Sequence, residues 1–178
     1  MIHESCYWKA PLLRAANWLE RLRIEESTVE RSLVRAEREL FVGFYAIRKL
    51  LETFKLSPLH KKHEVFSNAL TMHKDGGLYE RPPNRRAIRF GSHTHVEKQN
   101  LEILCNQFIH SYVFVTAQQE DGSLAGAYVS SDRARKDKVF FVEIAYIFSV
   151  FRTVGKDYLT EQYMRRNQKT HQWEEAAK

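Results

Sequence analysis

The feature that most constrains this chain is a long amphipathic stretch that opens at Ser27-Thr28-Val29-Glu30. A Ser followed three residues on by Glu is the capping-box pattern, in which the two side chains satisfy backbone N–H groups left open at a helix start. Downstream, Val29, Leu33, Ala36, Leu40, Phe44, Ile47, Leu51 and Phe54 recur in steps of three and four, so one side stays apolar until Ser57-Pro58 stops the pattern. A helix this long must bury that side along its whole length, which predicts helical partners. Arg48 interrupts the apolar neighbourhood between Ile47 and Leu50, where an arginine is usually a snorkelling or paired structural residue, although it could face a polar site.

Partners are readable on both sides. Leu12, Ala16, Leu19 and Leu22 mark one apolar side of a helix over Pro11–Ile24, with Arg14, Arg21 and Arg23 facing largely elsewhere. Later, Tyr112–Ala117 and Leu124–Ser130 are rich in β-branched and aromatic residues, and Glu120-Asp121-Gly122 between them reads as a hairpin turn. A polar connection, Ser131–Lys138, carries Arg133, Arg135, Lys136 and Lys138. The apolar run that follows, Val139–Val154, exceeds an ordinary strand, and Ile144, Ile147, Phe151, Val154 and Tyr158 fall at helical spacing, so a helix is expected over most of Glu143–Arg166. The fold class that results is mainly α, a helical bundle with an attached β-hairpin near 112–130. One domain over 1–166 and a polar, fraying tail over 167–178 complete the organisation.

The stretch from Leu59 to about Val96 reads as an irregular connection, with loop signals at Asp75-Gly76-Gly77 and Pro82-Pro83 and at most a short strand over Ala87–Phe90. A connection of this length inside one domain is a candidate binding or lid segment. It contains the densest basic run, RPPNRRAIR, whose Arg81, Arg85, Arg86 and Arg89 are the candidate nucleic-acid contacts; a solvated basic loop is the plainer reading. It also holds His60/His63 and His93/His95. Four histidines could ligate zinc, but such short spacings arise easily by chance and the pairs lie on uncertain elements, so no metal or cofactor is expected.

Composition bounds the function. The 178 residues, 43% hydrophobic, suit one core, and the net charge of +6 favours acidic partners. Two cysteines, Cys6 and Cys105, are too few for a disulfide framework. The N-terminus lacks the basic start and apolar run of a secretory signal, and no uncharged segment is long enough to span a bilayer, so a cytoplasmic protein is expected. P-loop, dinucleotide-binding, nucleophile-elbow and H-E-x-x-H patterns are missing, which removes the common cofactor enzymes.

One short stretch concentrates chemistry. In NLEILCNQFIHSY, Asn100–Tyr112, a helix would bring Asn106 and His110 onto one face, with Leu101, Leu104 and Phe108 on the other. Structural roles are open to each: His110 bonding a carbonyl, Asn106 bridging helices, Tyr112 packing with its hydroxyl anchored, Cys105 buried as a small apolar residue.

The run Cys105-Asn106-Gln107-Phe108-Ile109-His110-Ser111-Tyr112 resembles the signature of the HEPN superfamily, in which Arg, often followed by Asn, precedes a His by four to six residues and a Tyr follows. Here Asn106, His110 and Tyr112 match, and Cys105 stands where the family has arginine. The resemblance implies a helical, homodimeric protein with a metal-independent RNA-cleaving site shared between subunits, used in prokaryotic toxin–antitoxin or defence systems. In such a site histidine moves a proton between the ribose hydroxyl and the leaving oxygen, and arginine neutralises charge on the phosphorus. Without that arginine, the implied function is an RNA- or partner-binding module with catalysis weakened or lost. The alternative is an active endoribonuclease in which His110 acts as general acid and base, Asn106 assists, and Arg48, Arg85 or Arg86 supplies the cation.

Overall fold

The computed structural model describes residues 2–25, 27, 29–57, 64–72, 90–134, 138–158, 164–171 and 173–175. The long amphipathic stretch forms helix α2, Val29–Glu52, which buries Ala36, Leu40, Phe44, Ile47 and Leu50 on one side. It starts two residues after Ser27 and stops five before Ser57. Phe54 takes a left-handed φ of 56°, the Lys55 N–H reaches back to Leu50 O (2.9 Å) and the Phe54 N–H to Leu51 O (3.3 Å). This is the paired closure that satisfies the last carbonyls of a helix, so local geometry ends α2 before Pro58 is reached.

Helix α1 spans Cys6–Arg21 and therefore begins five residues before Pro11, which lies inside it rather than in its first turn. Leu12, Ala15, Ala16 and Leu19 are its buried side. A short helix α3, Leu101–Ile109, and helix α4, Ile144–Gly155, complete the helical layer.

The expectation of a mainly α bundle is overturned by a five-stranded sheet, which makes the chain α+β. Two strands, β1 (Glu64–Met72) and β2 (Phe90–Asn100), occupy much of the tract expected to be irregular. In β1 the apolar residues fall as adjacent pairs, Val65-Phe66 and Ala69-Leu70, and β2 has only Phe90 and Val96, so the period-2 signal is faint, and pairing along almost the full length of both strands supplies what propensity does not. Of Ala87–Phe90, only Phe90 belongs to β2; 87–89 lie outside the described residues.

The hairpin strands are β3 (Ser111–Gln118) and β4 (Leu124–Ser131), in antiparallel register with Phe114 opposite Val129. Strand β5, Lys138–Glu143, takes the start of the apolar run, up to the point where the helix was expected to begin. Glu143, extended at φ −61° and ψ 141°, divides the run into a strand and α4. The helix ends at Gly155, well short of Arg166. Beyond it, β6 (Met164–Arg166) pairs with β7 (Trp173–Glu175), so the polar tail carries a strand.

Strand order in the main sheet is β2-β1-β5-β4-β3, and every neighbouring pair is antiparallel. Helix α3 follows β2 at one edge of the sheet and leads into β3 at the other. One continuous core joins Leu12, Leu19, Leu40, Ile47, Leu104 and Ile147 from the helices to Ala127, Val129, Phe140 and Val142 from the strands. At its centre Phe44 stacks on Phe108 (centroids 3.8 Å, 17° between planes) and meets Phe151 edge-on at 5.4 Å. Gly43 lets α2 approach that ring: a Cβ built there would sit 2.7 Å from Phe151 Cε2 and closer still to Cζ.

A buried ion pair ties the ends of three helices. Lys9 Nζ on α1 lies 3.7 Å from the Asp157 carboxylate after α4 and donates to the Asp157 carbonyl. The same carboxylate accepts the Ser57 N–H after α2 at 2.9 Å. Burial pulls the Lys9 ammonium below its ordinary value, and Asp157 opposes that shift without cancelling it.

Candidate nucleic-acid interface

The chemistry-bearing stretch is divided between three settings. Asn100 precedes α3 in extended conformation and its side chain accepts the Ile103 N–H at 2.8 Å, so this amide is a helix cap. Within α3, Leu101, Leu104, Cys105, Gln107 and Phe108 are buried. His110 is the C-cap, its N–H returning to Asn106 O at 3.1 Å, and its side chain is exposed. Tyr112 belongs to β3 and is 40% exposed. Asn106, His110 and Tyr112 therefore lie at one end of α3 and the start of β3, at the surface or half-buried, rather than along one continuous helix.

The arginine position gives a clear answer. Cys105 is fully buried, and burial pushes its thiol well above the usual range, so it supplies neither a cation nor a ready thiolate. Arg48 does reach α3, but at its other end: Nε donates to Glu52 Oε1 at 2.8 Å and Nη1 lies 2.6 Å from Glu102 Oε1. Burial works against the Arg48 charge, but the two carboxylates outweigh it and hold the guanidinium above its ordinary value. Eight residues separate Glu102 from His110, roughly 12 Å along a helix. Arg48 of the same chain thus braces α2 against α3 and does not serve His110.

A different arginine lies close. The register that sets Ser111 opposite Ser131 brings the β4–β5 turn onto the end of α3. Two hydrogen bonds clamp it there: the Ser131 N–H donates to the buried Gln107 Oε1 at 2.9 Å, and the Asp132 N–H to His110 O at 3.0 Å. Arg133, next in the turn, is exposed. Sequence reasoning left this residue in a polar connection; extending the hairpin register by one pair sets Asp132 opposite His110, with Arg133 next in the chain. Lys138, at the other side of the turn, is bound to Glu97 at 2.7 Å.

The same end of the sheet includes the last residue of β1 and the first of β2, since Thr71 lies opposite Lys138 and Met72 opposite Phe90. Arg81, Arg85, Arg86 and Arg89 fall outside the described residues, as do His60 and His63. His93 and His95 lie in β2. Among the described residues, no three His, Cys, Asp or Glu side chains gather as a metal site, and no helix is long and apolar enough to cross a membrane.

No family model, no curated protein and no solved structure matches this chain.

Proposed function

We propose that this protein is an RNA-binding module whose contact surface is the His110 end of the sheet, and in which cleavage of the RNA is weak or absent. The observation that carries the reading is that the turn bearing exposed Arg133 is anchored through the Asp132 N–H to the backbone of His110, two residues from exposed Tyr112. Each suits a part of a single strand. A tyrosine ring 40% open to solvent offers a stacking face for a base, and an exposed guanidinium offers paired donors to a phosphate. His110 adds a donor to the same backbone. The net charge of +6 draws a polyanion from a distance. A cytoplasmic location goes with this reading, as do a second copy of the chain or an antitoxin-like protein as further partners.

The anchoring of the Arg133 turn to the backbone of His110 favours a second reading, metal-independent endoribonuclease activity. His110 would exchange protons with the ribose hydroxyl and the leaving oxygen while Arg133 neutralised the phosphorane. One experiment separates the two: purified protein is incubated with labelled RNA in EDTA, and binding and strand integrity are read together for wild type and His110→Ala. The binding module predicts salt-dependent retention of intact RNA. Cleavage by wild type that vanishes in His110→Ala would sink it in favour of the nuclease. Absence of binding at low salt would sink both.

A further inference from the structure

Away from the His110 end, the paired helices α1 and α2 carry a concentration of arginine around one tryptophan. The Arg35 guanidinium lies 4.0 Å over the centroid of the Trp18 ring, which fixes a cation flat against an aromatic face. On α1, Arg14 and Arg21 sit four residues before and three after Trp18, within about 60° of it around the helix, and both are exposed. On α2, Arg31 and Arg38 flank Arg35 at the same spacings, and they are exposed too. Glu30, Arg31, Val34, Arg35 and Arg38 border a shallow surface opening of roughly 550 Å³.

The carboxylates nearby do not neutralise this surface. Glu39 is shared, 3.3 Å from Arg38 and 3.9 Å from Arg35. Glu20 is taken by Arg152 at 2.6 Å, and Arg23, on the α1–α2 connection, is turned to Asp121 at 3.6 Å. Glu30 is the other acid at the opening. Among the described residues, neither Arg14 nor Arg31 has an ion-pair partner. Five exposed guanidiniums thus lie on the outer sides of α1 and α2, and Trp18, half-buried against the core, holds one of them, Arg35, over its ring.

We infer that this arginine surface around Trp18 is a binding site for the phosphodiester backbone of single-stranded nucleic acid. The reasons are geometric. Arg31, Arg35 and Arg38 rise about 6 and 10 Å along α2, a ladder that meets successive phosphates of an extended strand. Guanidinium planes grip phosphate oxygens in pairs, and a stacked Trp–Arg platform accepts the flat face of a splayed base. An acidic peptide would satisfy the charge and leave the platform unused. A duplex would keep its bases inside the stack. The site occupies elements other than the proposed His110 contact surface, so the two are separable.

The test uses the full chain and a fluorescein-labelled 20-nucleotide poly-uridine RNA, followed by anisotropy from low to moderate salt. Arg31→Glu/Arg38→Glu is expected to weaken binding about tenfold or more and to lower the slope of log affinity against log salt by about 1.4, two single-strand phosphate contacts at roughly 0.7 each. Arg31→Gln/Arg38→Gln, which keeps the helix face polar without reversing charge, should show the same slope change with a smaller loss, and circular dichroism should report wild-type helix content for both. Wild-type binding in both double variants, with loss in Arg133→Glu, would overturn this site and leave the His110 surface standing. The reverse pattern supports this site and removes the other. Failure of wild type to bind the RNA at low salt overturns both. Competition by poly-glutamate as effective per charge as unlabelled RNA would overturn the nucleic-acid assignment in favour of an acidic protein partner.

Discussion

Replacing Gly43 with alanine tests whether the contact between α2 and α4 is as close as the core demands. The added Cβ would meet Phe151 Cε2 at 2.7 Å and Cε1 at 3.0 Å, with Cζ nearer still, whereas carbon atoms rest at about 3.5–4.0 Å. The ring has little room to swing, since Phe151 is fully buried and Phe44 lies against it at 5.4 Å, itself stacked on Phe108 at 3.8 Å. Relief therefore needs α2 and α4 to separate or Phe151 to leave its rotamer, and overpacking of this kind costs about 1–3 kcal/mol. Alanine's better helix propensity returns up to about 1 kcal/mol, so the net loss expected is about 1–2 kcal/mol. Urea unfolding followed by circular dichroism measures it. Pairing Gly43→Ala with Phe151→Leu makes the cause visible: the double variant should lose less than the sum of the single losses, a coupling of about 1 kcal/mol or more. A Gly43→Ala protein as stable as wild type, or losses that simply add, would refute the argument.

Two further predictions concern polar groups. Gln99 is 4% exposed and, among the described residues, neither its Nε2 nor its Oε1 has a hydrogen-bond partner, a burial that costs about 1–3 kcal/mol per stranded group, so Gln99→Met should raise stability by about 1 kcal/mol or more in the same unfolding assay. Lower stability in Gln99→Met would mean that a bound water or small molecule completes the amide. The second follows from hydrogen bonds to Lys49 and Arg48, which hold the Glu52 carboxyl below its ordinary range. A carboxyl with a lowered folded-state pKa contributes stability that is present above its unfolded value, about 4.3, and is lost as pH falls through the lowered one. Wild type should therefore lose urea midpoint more steeply below about pH 5 than Glu52→Gln does, and parallel profiles would refute the link.

Strong local periodicity made part of the fold legible. The apolar steps of Val29 to Leu51 define α2, and the β-branched runs around Val113–Val115 and Ala127–Val129 define the hairpin. What escaped had a signal that local pattern could not resolve. Val139–Val154 is apolar through a strand and a helix alike, and only the extended backbone at Glu143 parts them. Glu64–Met72 and Phe90–Asn100 are strands because each has a partner, a fact of pairing and not of composition. For the candidate site, residue type did not give arrangement: His110 and Tyr112 both lie at an open surface, but at the end of α3 and the start of β3 rather than on one helix. Arg48 reads as a snorkelling or paired residue that could also face a polar site, and its partners are Glu52 and Glu102, which sequence position alone does not single out. Arg133 looked like linker charge until the hairpin register carried its turn to His110.

The antiparallel sheet also has a seam with consequences for how the chain finds its fold. Three of its four strand pairings join strands that are consecutive in sequence, so the β1–β2 hairpin and the β3–β4–β5 meander can each zip from its own turns. Only β1 against β5, with Asn68 opposite Phe141, unites them, and those residues are 73 positions apart. Closing so large a loop costs entropy before any contact repays it, which makes this late encounter the natural bottleneck of refolding. Helix α3, which carries the chain from β2 to β3, is the strap that limits the search. The segment singled out for its chemistry thus also governs how readily the two halves of the sheet meet.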